Sequence, residues 1–440
     1  MTDSISHAWR ALRHRNFRLY FAGQGISVIG TWMTRLATSW LVYQLTHSAL
    51  LLGIVSFSGQ IVSFGLGPLA GVVVERLNRR RMLVWTQAAA SVQSLALAAL
   101  TLGRIINLHE IIALTVMQGV IDAFDMPGRQ SFLVQMVEDR NDLSNAIAIN
   151  SSMANGARLI GPAIAGVVIA AVGEGWCFLI DGVSYFAVIA SLLMMRLPRA
   201  EARAPGSSML EQMWEGWEYV RTSRPIRTIL LLFTLSTLLG RPYNVLLPVF
   251  AGRVFHGGAT TLGWLTGAAG IGALASGISL AARRSISGLT RMLQIAAGVL
   301  GAGLILLGVS RTLWVSLVLM VLIGFGLLQG AAVSNTIIQS LVTDDKRARV
   351  MSYYTTAFFG GAPFGSLLAG VLAHRIGAPY TVMVTGTLLI ASALWFTLEL
   401  PKIKPDMRQI YREKGMLPAG DLNLVSAKSE SAKEDDDALV

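Results

Sequence analysis

The 440-residue chain is 53% hydrophobic and only 14% charged, with a mean hydropathy of +0.57, which excludes a soluble globular surface and makes the lipid bilayer its solvent. Its 36 basic and 25 acidic residues leave a formal charge of +11, and its single cysteine, Cys177, excludes disulfides within the chain, thiolate metal sites and iron–sulfur clusters. No G-x-x-x-x-G-K-[ST] phosphate loop occurs, so the chain has no ATPase of its own.

Crossing the hydrocarbon takes about 20 apolar residues per helix. Twelve such runs are predicted, at 17–45, 48–74, 82–103, 109–126, 145–172, 176–195, 226–250, 260–282, 292–308, 313–341, 350–374 and 379–400, and are numbered here spans 1 to 12. The first follows Arg10, Arg13, Arg15 and Arg18 with no small-residue cleavage site at a suitable distance, so it reads as a membrane span rather than a signal peptide. With a cytoplasmic N-terminus and one crossing per run, five basic groups fall on the cytoplasmic side. They are Arg76/Arg79/Arg80/Arg81, Arg196/Arg199/Arg203, Arg221/Arg224/Arg227, Arg283/Arg284 and Lys346/Arg347/Arg349. The outer loops carry Arg104, Arg253, Arg311 and Arg375. This positive-inside asymmetry accounts for the net charge without nucleic acid and puts both termini in the cytoplasm.

Between spans 6 and 7, Leu210, Met213, Trp214, Trp217 and Val220 recur at helical spacing with Glu211, Glu215 and Glu218 opposite, after a capping box at Ser208 and Glu211. Such a helix either lies at the membrane surface or docks on the bundle. After Pro401 the chain turns polar. The expected organisation is a six-helix bundle over 1–196, a cytoplasmic linker over 197–225, a second six-helix bundle over 226–400 and a disordered cytoplasmic tail over 401–440. Weak internal repeats support two copies of one unit. Arg35 precedes Thr46-His-Ser-Ala-Leu-Leu-Leu-Gly53 much as Arg241 precedes His256-Gly-Gly-Ala-Thr-Thr-Leu-Gly263, and Gly161-Pro162 through Gly166 matches Gly361 through Gly370. Span 1 therefore pairs with span 7 and span 5 with span 11, and repeated halves place a substrate site at their interface.

At the loop between spans 2 and 3, Gly71-Val-Val-Val-Glu75-Arg76-Leu-Asn-Arg79-Arg80 resembles the G-x-x-x-D-R-x-x-R-R motif of the major facilitator superfamily, with glutamate replacing aspartate. The resemblance implies a cytoplasmic latch made by Gly71, Glu75, Arg76, Arg79 and Arg80; a merely topogenic basic loop is the alternative. In span 5, Ala157, Gly161, Pro162, Ala165 and Gly166 resemble the G-x-x-x-G-P-x-x-G-G motif of exporting antiporters with two glycines changed to alanine, although tight packing alone also explains them. The stretch from Pro127-Gly-Arg129-Gln130 through Asn145, Asn150 and Asn155 to Arg158, with Arg347-Ala-Arg349-Val-Met351, is similar to the branch containing the enterobactin exporter and macrolide-efflux-like proteins. What the resemblance implies is an all-α membrane protein of two pseudo-symmetric six-helix bundles. It implies a monomer of the bacterial inner membrane that uses no cofactor and exports a siderophore-like or drug-like molecule by proton antiport and alternating access. A gradient-driven nutrient importer is the alternative, and a membrane enzyme or a scaffold the remoter one.

An ionisable group at the bilayer centre costs at least ~2.5 kcal/mol on insertion scales, so it faces a cavity or a partner. In the resembled fold spans 1, 4, 7 and 10 line the central cavity. Arg35 and Arg241 are expected to present donors to an anionic or oxygen-rich substrate, and Asp122 of span 4 to carry the coupling proton; the opposing reading is structural ion pairs such as Asp122 with Arg35. Arg158 is the fourth such charge. Asp125 and Arg129, spaced i,i+4 across Pro127, pair with each other or extend the latch. Further cavity candidates are Gln24, Thr31, Thr38, Gln118, Asn244, Gln329 and Asn335, with Trp40 and Tyr243 to stack on an aromatic cargo. Asp181 reads as shallow and tied to Ser184. His47, His109, His256 and His374 sit in different outer loops without ligand spacing, which points to no metal site.

Overall fold

A computed structural model of the chain describes residues 10–137, 139–196, 209–283, 288–343 and 345–414. Among these residues every regular element is a helix. A turn at Arg10–Arg13 leads into α1 (Arg15–Thr46), α2 (Ala49–Arg76), α3 (Arg79–Leu102), α4 (Leu108–Met136), α5 (Leu143–Val172) and α6 (Glu174–Met194). The linker helix α7 (Met209–Thr222) follows, then α8 (Arg224–Gly240), α9 (Tyr243–Val249) with a π-helical turn at Phe250–Val254, α10 (Ala259–Ala281), α11 (Leu289–Val309), α12 (Leu313–Leu341), α13 (Arg347–Ile376) and α14 (Ala378–Glu413). Eleven helical stretches, with α8 through the π turn counted as one, are long and apolar enough to cross a membrane. The long helix outside that set, α1, carries Gln24, Thr31 and Arg35, and it packs lengthwise between α5 and α6.

Helices α1 to α6 pack among themselves, as do α8 to α14, and the two halves meet along α2 with α13 and along α5 with α10. Lipid supplies no hydrophobic force between helices, so these seams rest on close backbone approach. A Cβ at Gly53 would lie 2.8 Å from the Ser366 carbonyl oxygen and 2.9 Å from the Gly370 Cα; at Gly263 it would lie 2.6 Å from the Pro162 carbonyl oxygen and 3.2 Å from the Gly166 Cα. The two contacts are copies of one another. Each glycine meets a carbonyl four residues ahead of the partner glycine, and each follows a histidine held at positive φ, 48° at His47 and 50° at His256. Both contacts lie at the far end of the bundle, away from the end where α1 starts and α14 finishes.

Down the first seam, Phe57 meets Phe364 at 6.2 Å between ring centroids and Phe64 covers Gly360. Beyond that, Gly65, Gly67 and Gly71 would meet nothing within 4 Å. Down the second, Leu159 covers Gly270, after which Gly156 and Gly277 face open space. The halves therefore touch at the far end and splay at the terminal end.

Three boundaries differ from the sequence reading. Span 4 runs past Pro127 to Met136, because Phe132, Leu133 and Met136 bury against Ala11 and Phe17, which outweighs one lost backbone hydrogen bond. Span 7 breaks after Gly240, where Pro242 interrupts the helical ladder. The expected disorder from residue 401 is replaced by helix as far as Glu413, since Ile403, Met407 and Tyr411 recur every four residues and bury, and Lys414 donates to the carbonyls of Ser340 and Val342 at 2.9 and 2.7 Å. The rest of that tail, 415–440, lies outside the described residues. Linker helix α7 docks on α13 through Arg349 with Glu215 and Trp217 with Tyr353, while Trp214 stays exposed; Ser208 and the side chains of Leu210, Glu211 and Met213 lie outside what is described. At the same end Asp142 gathers Arg10 and His14, and its carboxyl is held below the usual carboxylate range by the His14 hydrogen bond and the Arg10 charge.

Overpacking a filled contact costs about 1–3 kcal/mol. Gly263→Val and Gly370→Val should each lower the melting temperature of the purified protein and lengthen the spin-label distance between the far-end tips of the halves. Gly67→Val, placed in open space on the same helix as Gly53, should do neither.

Candidate functional site

The break in span 7 decides where Arg241 points. Arg241 ends α8, its carbonyl accepts from the Asn244 side chain at 3.4 Å, and the fixed φ of Pro242 starts α9. The guanidinium donates to the Phe358 carbonyl at 2.9 Å and lies 4.6 Å from the centre of the Phe358 ring. Phe358 in turn stacks on Phe233 and Tyr354, whose own rings stack at 4.5 Å. One cation thus sits on an aromatic wall built by α8 and α13.

The other half has its own version on α1. A Cβ at Gly161 of α5 would lie 2.6 Å from the Trp32 Cβ, so glycine there lets α5 close on α1. Above the Trp32 ring lie two guanidiniums, Arg35 at 5.1 Å and Arg158 at 5.7 Å. Arg35 reaches Asp122 of α4 at 3.8 Å, and Gln118 donates to the same carboxylate at 2.8 Å. This pair is loose: the side chains are 56% and 39% exposed, and such pairs contribute only about 0–1 kcal/mol. Arg158 and Arg241 line a common cavity of about 40 Å³ between the halves, together with Ser236, Thr237, Ser334 and Phe358. Two arginines therefore line the cavity, and a third, Arg35, shares the Trp32 ring with one of them and is paired with one carboxylate, which leaves a surplus of positive charge and of donors.

The remaining sequence candidates divide. Gln118 belongs to the Asp122 group, and Thr38, Asn244 and Asn335 retain exposure, Asn335 accepting from Gln339. Gln24 and Gln329 are only 2% and 1% exposed, Gln329 accepting from Ser276 at 2.8 Å, and Thr31 bonds the Ser27 carbonyl and the Tyr185 hydroxyl, so these three face the interior of the halves rather than the cavity. Trp40 and Tyr243 are core residues of the far end, Trp40 packing on Tyr43, which itself covers Gly252 of the π turn. Asp181 is deep, not shallow: it lies against Gly30 and accepts from Ser94 at 2.9 Å, and Ser184 reaches only its carbonyl. Asp125 does pair with Arg129, and it also accepts from Thr86 and Gln87 of α3 at 2.9 and 2.6 Å. Of the latch residues, Arg80 donates to the Leu193 carbonyl at the end of α6, within its own half. Gly71 faces open space, Arg79 is half-buried, and the side chains of Glu75 and Arg76 lie outside what is described. Sequence reasoning missed Trp32 and Phe358, the two rings that carry the arginines. It named Arg158 as an intramembrane charge without a partner role, although positions 158, 161, 162 and 165 share one helical face.

The profile of a family described as transmembrane secretion effector matches residues 6–423. The chain is 26% identical over 392 residues to the staphyloferrin A transporter of Staphylococcus aureus, covering 88% of this chain and 97% of that one. It is 27% identical over 374 residues to the multidrug efflux pump Tap of Mycolicibacterium fortuitum, covering 82% and 88%. Its fold matches that of a bacterial homologue of the human lysosomal transporter Spinster in an inward-facing, unoccupied conformation, with a TM-score of 0.68 and 14% identity over 91% of this chain and 98% of that one.

Asp122 and Asp125 of α4 should respond differently to mutation. Asp125→Ala strands a largely buried Arg129 and should cost about 3–5 kcal/mol in thermal unfolding of the detergent-solubilised protein. Asp122→Asn should change that stability by no more than about 1 kcal/mol.

Proposed function

Because this chain belongs to the transmembrane secretion effector family of the major facilitator superfamily, we propose that it exports an oxygen-rich, acidic small molecule across the bacterial inner membrane by proton antiport and alternating access. The observation that carries the reading is the set of three guanidiniums held on Trp32 and Phe358, of which Arg158 and Arg241 line the cavity and Arg35 is loosely paired with Asp122. The arginine asymmetry of the loops supports placing the open, terminal end in the cytoplasm, where cargo for export is loaded. The bundles over 1–196 and 226–400 rock about the far-end seams, the chain acts as a monomer, and the linker stays cytoplasmic. The efflux pump Tap among its relatives supports the direction, and it and the staphyloferrin A transporter together support the range of cargo.

The sign of proton coupling follows from what the cargo offers Asp122. A purely anionic cargo binds better when Asp122 is protonated and Arg35 is free, which is cotransport. A cargo that also donates an O–H or N–H to Asp122 binds better to the ionised carboxylate, because a charge-assisted bond is about twice as strong as a neutral one. Protonation then expels it, and by reciprocity the cargo expels the proton. Antiport therefore calls for a molecule with both acceptor oxygens and hydroxyl or amine donors, bound between Arg35, Arg241 and Asp122, with Arg158 as the third donor.

Staphyloferrin A, the cargo named for one relative, is the first probe. Hydrogen bonds to charged groups contribute about 1.5–3 kcal/mol each, so Arg35→Gln with Arg241→Gln should weaken its binding to the purified protein at least tenfold. Asp122→Asn should abolish the pH dependence of binding. Uptake should occur in inverted vesicles and not in right-side-out ones. Unchanged binding in the double arginine variant rules out the anion site, and uptake by right-side-out vesicles rules out export.

A further inference from the structure

A second site lies on the outer flank of the first half, where the start of α3 meets the end of α6 at the terminal end of the bundle. These two helices pack on each other and on their own half and take no part in either seam between the halves. Between them runs a groove of about 640 Å³, lined by Asn78, Arg80, Arg81, Val84 and Trp85 and closed on the far wall by Leu193. Among the described residues no acid lines it.

The local chemistry of the groove is that of an anion seat beside an apolar slot. Asn78 caps α3 by accepting from the Arg81 backbone N–H at 3.1 Å, so the positive end of the helix opens into the groove. Arg80 spends one donor on the Leu193 carbonyl at 2.5 Å, which stitches the floor together and fixes its guanidinium at the rim. Arg81 is exposed and one turn from Trp85, so the two share a face. Trp85 is 75% exposed, and Leu193 and Met194 beside it are also bare. A topogenic arginine cluster needs neither a groove nor an exposed indole. A tryptophan left bare within the first two turns of a membrane helix sits at headgroup level, where an amphipathic ring belongs.

We propose that this groove binds the headgroup phosphate of an anionic phospholipid, held by Arg80, Arg81 and the first turn of α3, with an acyl chain along Val84, Trp85 and Leu193. The occupant is a lipid and not free phosphate, because the apolar wall continues directly from the arginines along a face that lies in the bilayer. It is anionic because the lining offers the cationic donors of Arg80 and Arg81 and, among the described residues, no carboxylate. The site is separate from the transport cavity and leaves the cargo assignment untouched.

Quenching of Trp85 fluorescence reads the site directly, as the difference between the wild-type protein and Trp85→Phe reconstituted in the same lipid. Brominated phosphatidylglycerol should quench that component at a severalfold lower mole fraction than brominated phosphatidylcholine, on the scale of about fivefold for each arginine engaged. Arg81→Gln should remove most of that preference and Arg81→Lys should keep most of it, while glycerol phosphate in solution should not compete. Trp214, exposed at the same end on α7, is the control, and its quenching should not change in Arg81→Gln. Equal quenching of Trp85 by the two lipids overturns the proposal. So does a preference that survives Arg81→Gln, or one that is lost at Trp85 and Trp214 together, which marks a general surface attraction.

Discussion

Two backbone contacts with no side chain between them organise this molecule: Gly53 against Gly370, and Gly263 against Gly166. In a solvent of acyl chains, two helical halves gain nothing by hiding apolar surface, and they hold together only where atoms come close enough for dispersion and weak polar contacts to add up. Closeness of this kind is confined to the far end. Lower down, bulky residues take over at Phe57, Phe64 and Leu159, and then the halves part. A joint that is tight at one end and absent at the other is the geometry from which rigid bundles rock.

The charges are placed by the same constraint. Arg35, Arg158 and Arg241 lie below the seams, and neither Arg35 nor Arg241 is neutralised by a close carboxylate. Aromatic faces do much of that work, and a desolvated cation over a ring gains up to about 2 kcal/mol. A ring holds a guanidinium in place through its face, so that Arg241 spends one in-plane donor on the Phe358 carbonyl and Arg35 meets only the loosely placed Asp122. Asp125 and Arg129 show the contrast, since there every strong acceptor is engaged by Arg129, Thr86 or Gln87 and nothing is left for a ligand. Two ion pairs on one helix, a turn apart, therefore do different things, and the difference lies in how many partners each carboxylate already has.

That difference also marks what could be read beforehand. The spans, the repeats and the exceptional character of Arg35, Asp122 and Arg241 were legible, because an ionisable residue in an apolar run stands out against a solvent that penalises it. Gln24, Thr31 and Gln329 stood out for the same reason and were misplaced, since a polar side chain in a span is as well satisfied by a serine or tyrosine on the next helix as by a cavity, and periodicity does not show which helix is next. Trp32 and Phe358 were invisible because an aromatic residue in an apolar run looks like packing until a cation is found above it. Arg80 belongs to a motif that suggests a link between halves, yet its guanidinium is committed to α6 of its own half. The helical stretch 401–413 was hidden behind Pro401 and Pro405, which suggest an ending, while the four-residue recurrence of Ile403, Met407 and Tyr411 that holds it together is short.

The motif of span 5 illustrates how a pattern can erode without losing its physical content. Alanine stands at 157 and 165, both buried, and the Ala165 carbonyl faces only Cys177 of the neighbouring α6 within the same half. Glycine persists at 161 and 166, the two positions where a Cβ would drive into Trp32 or into the backbone of α10. One of these contacts seats the ring that carries Arg35 and Arg158, and the other is a seam between the halves. The retained glycines thus lie less than two turns apart on one helix that serves both the arginines and the joint. Under the alternating access proposed above, rocking that loosened Gly166 from Gly263 would act on the helix that also positions Trp32.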